Sequence, residues 1–446
     1  MSMSLYRKYF ELVPVNNITT FQVNGGTNQI SFLVPPVQGA TLSTKDMVFS
    51  GTLTLKKDDG VTSYTVADFD TLDVGMDSVN GAHNLISRID ITSQGSGNSL
   101  IEQRKEYSLI NKYKRGTLAK SDLANGKYNI QQLCSTNSNG VRNWLASPTT
   151  GSTGHDFAIQ LSTGFLMDNV QQVNLGAANG VGIKLYLNEV SNALFNIDPA
   201  AASLLTSDFN LQLTDVKLFG RYNFVTAPLL NSLTGVQFRK TNDLISVLQS
   251  SNDTIATTPM VSSLHKVIHI YQPNDTTANN VNANNTATNQ LVGLKKYGIS
   301  NNGSRHPYNY DIDITPSMST LSATAGKQGR VAGNAEQCYF LISALSQYPP
   351  VHSLVNATNQ AQAFEDQIDS KNTDSLNVNG IGVDYSYGFA GFSVPMNNNL
   401  LQINVESSVL TTDPIVPTSI KNQSQTQNSF IEYDATLTYS GMRVSQ

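Results

Sequence analysis

Three glycines stand close together in the stretch LSTGFLMDNVQQVNLGAANGVGIKLYLN, at Gly176, Gly180 and Gly182, and a phosphate-binding loop would be one use for them. A P-loop ends in Gly-Lys-Ser/Thr, whose lysine and hydroxyl reach phosphate and magnesium, and a dinucleotide fingerprint is followed by a helix. Neither the Gly-Lys-Ser/Thr ending nor a helix pattern follows these glycines, because an alternating apolar run begins at Val181. Asn179-Gly180 is typical of a two-residue hairpin, so we predict a turn between strands. The pair Gly326-Lys327, in LSATAGKQGR, also fails as a P-loop, since Gln328 follows the lysine and Leu321 stands where the first glycine should be.

Two pairs of titratable residues have spacings that chemistry could use. His265 and His269 are four apart, as metal ligands on one helix face would be, but HKVIHIY alternates like a strand and no third ligand accompanies them. Asp311 and Asp313 share a strand face, about 7 Å apart by strand rise, which a glycoside hydrolase dyad could use. No second cue supports that use, and ordinary strand residues are the favoured interpretation of both pairs. We therefore assign no catalytic, cofactor-binding or metal-binding residue and no cofactor, and expect a protein that is not an enzyme.

The segment EQRKEYSLINKYKRG combines basic and aromatic side chains that could contact nucleic acid, namely Arg104, Lys105, Tyr107, Lys112, Tyr113, Lys114 and Arg115. Glu102 and Glu106 dilute it, and the chain has a net charge of −5, a poor balance for neutralising phosphates. A solvated helix face or a subunit contact is favoured, and no specific nucleic-acid binding is expected. The segment predicts a helix that Ser99 caps, with Glu102 completing a capping box and Gly116 at its end.

The chain is poor in charge: Asp, Glu, Lys and Arg make up 14% of its 446 residues, against roughly 25% in an average soluble domain. Such a surface indicates coverage by other subunits, although extracellular β proteins share the composition. The N-terminal MSMSLYRKYFELVPVNN lacks the apolar core of a secretory signal, and no run of 18 apolar residues predicts a membrane-spanning helix. We therefore expect synthesis inside the cell. For Cys134 and Cys338, which stand about two hundred residues apart and form no CxxC pair, two buried free thiols are favoured over a disulfide.

Apolar and polar residues alternate along most of the chain, which predicts an all-β fold. The pattern is clear in MVFSGTLTL, in VGIKLYLN and in FNLQLTDVKLFGRYNFV, where the phase slips at Thr214-Asp215 as a β-bulge would make it. It returns in HKVIHIY, QCYFLISAL, LLQINVESSVL and IEYDATLTYSGMRV. Helical patterns are restricted to the segment ending at Gly116 and to NQAQAFEDQIDS. Many short strands separated by turn residues are typical of β-sandwiches and jelly rolls.

The strand pattern divides the chain into two units. Residues 1–225 form the first, residues 226–260 form a linker rich in Pro, Gly and small polar residues, and residues 261–446 form the second. Regular strands are expected to resume only near Val261. Gln272 to Gln290 is predicted to be a large exposed loop, because it holds almost no apolar residue that could enter a core.

Four segments of the chain, taken together, resemble one family: FAIQLSTGFLMDNVQQVNLGAANGVGIKLYLN, LQLTDVKLFGRYNFV, FELVPVNNITTFQVNGGTNQISFLVPP and LISRIDITSQGSGNSLIEQRKEYSLINKY. They are similar to the major capsid proteins of the double jelly-roll lineage, especially those of polinton-like viruses, adintoviruses and virophages. In that family an STG strand leads through a glycine-rich turn to a strand ending in Leu-x-Leu-Asn. The resemblance covers residues 10–225, and beyond them only length, strand content and long loops agree.

The resemblance implies two consecutive jelly-roll β-sandwich domains, with one or two short inserted helices and long loops. It also implies a homotrimer that forms a pseudo-hexagonal capsomer of an icosahedral shell, contacts with neighbouring capsomers and with penton and minor or cement proteins, and a place in the virion. The loop from Gln272 to Gln290 would then form part of an outward tower, and the segment around Tyr6 to Phe10 would lie at the inner base.

Two other functions stay open at this point. A carbohydrate-binding β-sandwich adhesin or receptor-binding spike would need an aromatic-lined shallow site, which a single tryptophan, Trp144, and the lack of a secretory signal make less favourable. A hydrolase that uses Asp311 or Asp313 is the third interpretation.

Overall fold

The structure is a computed structural model, and it describes residues 4–18, 20–22, 29–62, 74–77, 80–94, 99–116, 141–142, 154–167, 172–196, 209–248, 252–257, 264–273, 294–301, 304–305, 312–313, 380–384, 401–407, 425–439 and 443–445. Strands dominate these ranges. Outside them lie the predicted helix in NQAQAFEDQIDS, the strand QCYFLISAL, most of the loop from Gln272 to Gln290, both cysteines and Trp144.

The strands have these bounds: β1 Ser4–Leu12, β2 Phe21–Gln22, β3 Gln29–Val34, β4 Ala40–Ser43, β5 Val48–Lys57, β6 Val74–Asp77, β7 Ile86–Ser93, β8 Leu100–Arg104, β9 Val141–Arg142, β10 Gly154–Gln160, β11 Gln172–Asn174, β12 Val181–Leu187, β13 Phe195–Asn196, β14 Phe209–Val225, β15 Gly235–Leu248, β16 Asn252–Thr257, β17 Leu264–Pro273, β18 Leu294–Asn301, β19 Ser304–Arg305, β20 Ile312–Asp313, β21 Gly380–Asp384, β22 Leu401–Ser407, β23 Gln425–Thr438 and β24 Arg443–Ser445. The helices are α1 Tyr107–Gly116, α2 Gly164–Met167, α3 Leu175–Ala178, α4 Val190–Ala193 and α5 Ala227–Ser232, with 3-10 turns at Thr44–Asp46 and Gly81–Leu85.

The strands from β1 to β14, called the first unit below, form two main sheets. One has the order β10-β5-β14-β4-β11, with β1 and β2 also paired to β14, and the other has the order β3-β12-β7-β8. β13, β6 and β9 form a small third sheet. The two main sheets contact each other through Phe32 of β3 and Phe49 of β5, whose rings meet edge to face with centroids 6.3 Å apart. This crossover order and face-to-face packing are those of a jelly roll.

The strands from β15 to β24, the second unit, likewise form two sheets. One sheet has the order β15-β23-β17-β21 with β24 on β23, and the other has the order β16-β22-β18-β19 with β20 on β18. Among the described strands, pairing joins members of the same unit only. Helix α5 connects the two units. The all-β prediction is therefore confirmed, while the limits at residues 225 and 260 remain predictions.

The predicted alternation is confirmed where it was clearest. In β5, the residues Phe49, Leu53 and Leu55 are fully buried and their neighbours are half-buried. The inward residues of β12 are buried in the same way. In β14 the register with β5 shifts between Thr214 and Lys217, and Asp215 adopts a φ of 51°, so the predicted bulge is present.

The prediction for the helix start was wrong. The helix begins at Tyr107, whereas Ser99 immediately precedes strand β8 and Glu102 lies within that strand. Glu102 is fully buried there, so its spacing from Ser99 does not make a capping box. A buried carboxylate in a strand breaks the apolar alternation, which is why the segment resembled one continuous helix.

The two-residue hairpin at Asn179-Gly180 was also wrong in form. β11 pairs with β4 and β12 pairs with β3 and β7, so the strands on either side of the glycines lie in different sheets. The link between them is the one-turn helix α3, which ends at Asn179 in the left-handed conformation. Gly180 follows with a φ of +89°, and a Cβ there would lie 2.7 Å from the carbonyl oxygen of Val34.

Regular strands resume earlier than predicted, because β15 starts at Gly235 and β16 at Asn252. The alternation of β15 is interrupted by the polar run from Arg239 to Asp243, which packs on charged residues of the first unit. In the part of the chain that the structure describes, no helix is long and apolar enough to cross a membrane.

Candidate functional site: the junction between the two units

The two units meet where α2 and the strands β8 and β11 pack against β15, where β24 contacts β8, and where Tyr439, which follows β23, bonds to Asn174. We call this region the junction. Its closest approach is at Gly164, where an added Cβ would overlap the carbonyl oxygen of Arg239 and lie 2.7 Å from the Arg239 carbonyl carbon. Beside it, the rings of Phe165 and Phe238 meet edge to face, with centroids 5.4 Å apart. The main chains of the two units are thus in direct contact.

Glu102 fixes the start of α2 at the junction. Its two carboxylate oxygens accept hydrogen bonds from the main-chain N–H groups of Gly164, at 3.1 Å, and Phe165, at 2.7 Å. The hydroxyl of Thr163 accepts a further bond from Leu166 N–H at 3.2 Å. Four N–H groups at a helix start lack partners within the helix, so these acceptors satisfy three of them. Glu102 therefore does cap a helix, but a different helix from the one that its spacing predicted.

The carboxylate of Glu102 is also paired with a guanidinium. Arg104 Nη2 lies 3.4 Å from Glu102 Oε1, and the side chains of Arg104 and Glu102 are 1% and 0% exposed. A buried ion pair is stable only when further hydrogen bonds satisfy both groups, and the α2 amides supply them on the carboxylate side. The pair lies against β15 of the second unit.

Asp243 of β15 enters this cluster from the second unit. Both carboxylate oxygens are inaccessible to solvent, and neither makes a hydrogen bond of ordinary geometry with a described residue. Burial raises the pKa of Asp243 to about 8 against the opposing effect of Arg104, and the nearby Glu102 raises it further. Asp243 is therefore expected to be a neutral acid at pH 7.

Asn174, at the end of β11, joins three parts of the chain. Its main-chain N–H donates to the hydroxyl of Tyr439 at 2.9 Å, and its side-chain Nδ2 donates to the carbonyl of Leu230 in α5 at 3.3 Å. Its Oδ1 accepts from Ala177 N–H, which caps α3. Burial raises the pKa of Tyr439 to about 12, opposed by the Asn174 hydrogen bond. Asn174 thus ties the first unit to the connecting helix and to the end of β23.

Changing Tyr439 to phenylalanine is expected to destabilise the protein by about 1–3 kcal/mol, because the Asn174 N–H would lose its partner at a buried position. The free energy of unfolding in denaturant measures this. Tyr9→Phe is the matched control, since the Tyr9 ring is 71% exposed and its hydroxyl can be replaced by water. Equal unfolding free energies for the two variants would contradict a role for the Tyr439 hydroxyl at the junction.

Apart from the junction, the N-terminal strand β1 pairs with β14 from Leu218 to Val225. Tyr6 stacks on Phe224 and Phe10 on Tyr222, with centroids 4.3 and 4.2 Å apart. The Phe10 ring fills the space that a side chain at residue 220, a glycine, would need. The strand is therefore attached by aromatic stacking as well as by its ladder.

The histidine and aspartate pairs lie on strands or outside the described residues. His265 and His269 lie on strand β17, and Asp313 lies on β20 opposite Lys296, while Asp311 and the Gly326-Lys327 pair fall outside the described residues. In the ranges with described placement, no group of three or more His, Cys, Asp or Glu side chains could hold a metal ion.

Two of the residues considered for contact with nucleic acid, Arg104 and Tyr107, are buried. Arg104 and Tyr107 are 1% and 0% exposed, and Tyr107 accepts a hydrogen bond from Ser162 N–H and contacts His83 Nδ1 through its hydroxyl. Neither side chain can therefore reach a phosphate or stack on a base. Lys105 is exposed, and the other four basic or aromatic residues belong to α1.

The junction residues themselves were missed by sequence reasoning. Gly164 lies in the STG segment that carried the family resemblance, but nothing in the sequence pairs it with Arg239. Asp243 gave one usable signal, since a lone acid in a strand next to Leu244 and Ile245 indicates an unusual environment.

The whole chain is similar to several solved virus structures. It matches the Faustovirus major capsid protein at 9% identity and a TM-score of 0.55, with 98% of this chain and 91% of that chain covered. It matches a chain of the Sputnik virophage structure at 9% identity and a TM-score of 0.54, covering 99% and 88%. A chain of the PBCV-1 virus capsid matches at 12% identity and a TM-score of 0.54, covering 99% and 97%.

A scan against protein-family models and a search of curated protein sequences gave no match. Similarity at these identities establishes the fold, and it extends well beyond the residues 10–225 that carried the resemblance in sequence. Together with the two tandem sandwiches and their sheet orders, it shows that this chain is a double jelly-roll protein, built on the fold of viral major capsid proteins.

Proposed function

We propose that the protein is a viral major capsid protein, located in the virion, and that three copies assemble into a pseudo-hexagonal capsomer of an icosahedral shell. The observation that carries the proposal is the pair of tandem jelly rolls held together by a buried junction, in a chain that aligns over 98% of its length with the Faustovirus major capsid protein. The Sputnik and PBCV-1 structures support it as further virus particles with this fold.

The junction supports this proposal on physical grounds. A trimer presents a six-sided outline only if each subunit contributes two similar blocks at a fixed angle. The main-chain contact at Gly164 and the buried Glu102–Arg104 pair resist bending between the blocks, because a packed core has discrete arrangements rather than a continuous range of them. The low charge of the chain agrees with a surface that neighbouring subunits cover.

The same proposal includes the partners and the lack of catalysis. Sandwich edges and faces would contact neighbouring capsomers, and penton and minor or cement proteins would complete the shell. Assembly requires no cofactor and no enzymatic step.

The proposal is tested by the mass and outline of the purified protein. We expect light scattering to give three times the chain mass of 48.3 kDa and negative-stain microscopy to show particles with a six-sided outline. A monomer that persists at high protein concentration, without capsomers or shells, would overturn it. Glycan binding by such a monomer on an array would favour the adhesin or spike instead.

A further inference from the structure

A half-buried acid, Asp243, lies at the junction with both carboxylate oxygens short of hydrogen-bond partners. The Asp243 carboxylate belongs to the second unit, yet the charged groups around it belong mainly to the first. Both of its oxygens are shielded from solvent. Since an ionised carboxylate in such a place is shielded from water and has only the weak Lys105 N–H donor, the neutral acid is favoured while the junction stays closed.

The surrounding charges come from three directions. From β8, Arg104 favours the ionised form of Asp243 and Glu102 disfavours it. From the residues after β8, the Lys105 N–H weakly favours the ionised form and Glu106 disfavours it. β15 itself carries the half-buried Lys240, whose pKa is lowered by burial. β23 contributes Tyr433 and the buried Glu432. The Arg104 guanidinium pairs with Glu102 and also interacts electrostatically with Asp243, so two acids share one positive charge.

We propose that Asp243 is a proton-dependent latch between the two units: the junction is closed while this side chain is a carboxylic acid and opens more readily when it is a carboxylate. The proposed latch rests on the contacts at the junction of this chain and does not depend on the proposed capsid role. It predicts alkaline weakening of the contact between the sandwiches.

The direction follows from the proton balance. In the open junction the Asp243 carboxyl is solvated and has its ordinary pKa of 3.8, whereas in the closed junction the pKa is about 8. Opening therefore releases one proton between these pH values, and the opening equilibrium constant rises about tenfold per pH unit. The stabilisation of the closed junction by protonated Asp243 is complete below pH 3.8, is lost as the pH rises towards 8, and does not change further above pH 8.

Hydrogen exchange followed by mass spectrometry tests the latch on the full chain. The readout is the exchange rate of the Asn174 amide, which bonds across the junction to Tyr439, followed in peptides covering residues 172–178 and divided by the rate in Asp243→Asn at the same pH, so that intrinsic exchange cancels. This ratio is expected to rise about tenfold per unit from pH 5.5 to 7.5 and to level off above 8. A ratio that stays constant across the range would overturn the proposal.

Two controls keep the test decisive. Asp59→Asn changes an exposed acid whose pKa is lowered by its bonds with Thr62, and it should leave the ratio as in the wild type. If Asp243→Asn does not fold, Asp243→Ser provides a second neutral side chain. The wild type also contains its own reference, the buried strand β12: junction exchange that does not rise relative to β12 as pH increases contradicts the latch without any variant.

Discussion

Gly164→Ala is expected to prevent the two units from docking, with a loss of at least about 3 kcal/mol in the free energy of unfolding. Overpacking a core usually costs 1–3 kcal/mol, because neighbouring side chains move aside. Here the added methyl group would overlap the main chain of Arg239, which is held in the ladder with β23 and has no rotamer to change. Denaturant unfolding gives the magnitude, and size-exclusion chromatography shows whether the folded protein still assembles.

Gly176→Ala is the matched control. A Cβ at Gly176 would find its nearest neighbour, Gln38 Oε1, at 3.4 Å, an ordinary contact. The residue lies in helix α3, where alanine is favoured over glycine by up to about 1 kcal/mol. Gly176→Ala should therefore be neutral or slightly stabilising. If Gly164→Ala has the same stability as this control, the contact with Arg239 is not a determinant of the junction.

Strand positions could be predicted wherever one sheet face packs on apolar residues. β5 and β12 alternate with a period of two because their inner residues meet the opposite sheet, and the bulge in β14 is visible because the alternation resumes out of phase. These are local patterns, and each requires only the residues of one strand.

The junction could not be predicted in the same way, because its contacts join residues far apart in the chain. Glu102 has the spacing of a capping box with Ser99, yet its carboxylate caps α2, more than sixty residues further on. The run from Arg239 to Asp243 is polar because it faces charged residues of the first unit. In the sequence, such a polar run resembles a linker. Asn179-Gly180 has the composition of a hairpin, and only the pairing of β11 and β12 with different strands reveals a crossing between sheets.

Glu102→Gln is expected to destabilise the protein by about 3–5 kcal/mol, the usual cost of removing one partner of a buried ion pair. The amide nitrogen of glutamine cannot accept from the Gly164 or Phe165 N–H, so one α2 amide also loses its acceptor. Denaturant unfolding at pH 6 measures the loss. Glu11→Gln is the control, because Glu11 pairs with Lys217 at an exposed position, where such pairs contribute about 0–1 kcal/mol. Losses of equal size in the two variants would show that the buried pair has no special role.

The same substitution should also change Asp243, because one guanidinium serves both acids. Without the Glu102 charge, which raises the Asp243 pKa, Arg104 is left to Asp243 alone and that pKa falls. Asp243 then ionises at neutral pH and replaces part of the lost pairing. In an Asp243→Asn background no such replacement is available, so Glu102→Gln should cost about 0.5–3 kcal/mol more there than in the wild type. Additive losses in a double-mutant cycle at pH 7 would mean that the two acids do not share Arg104.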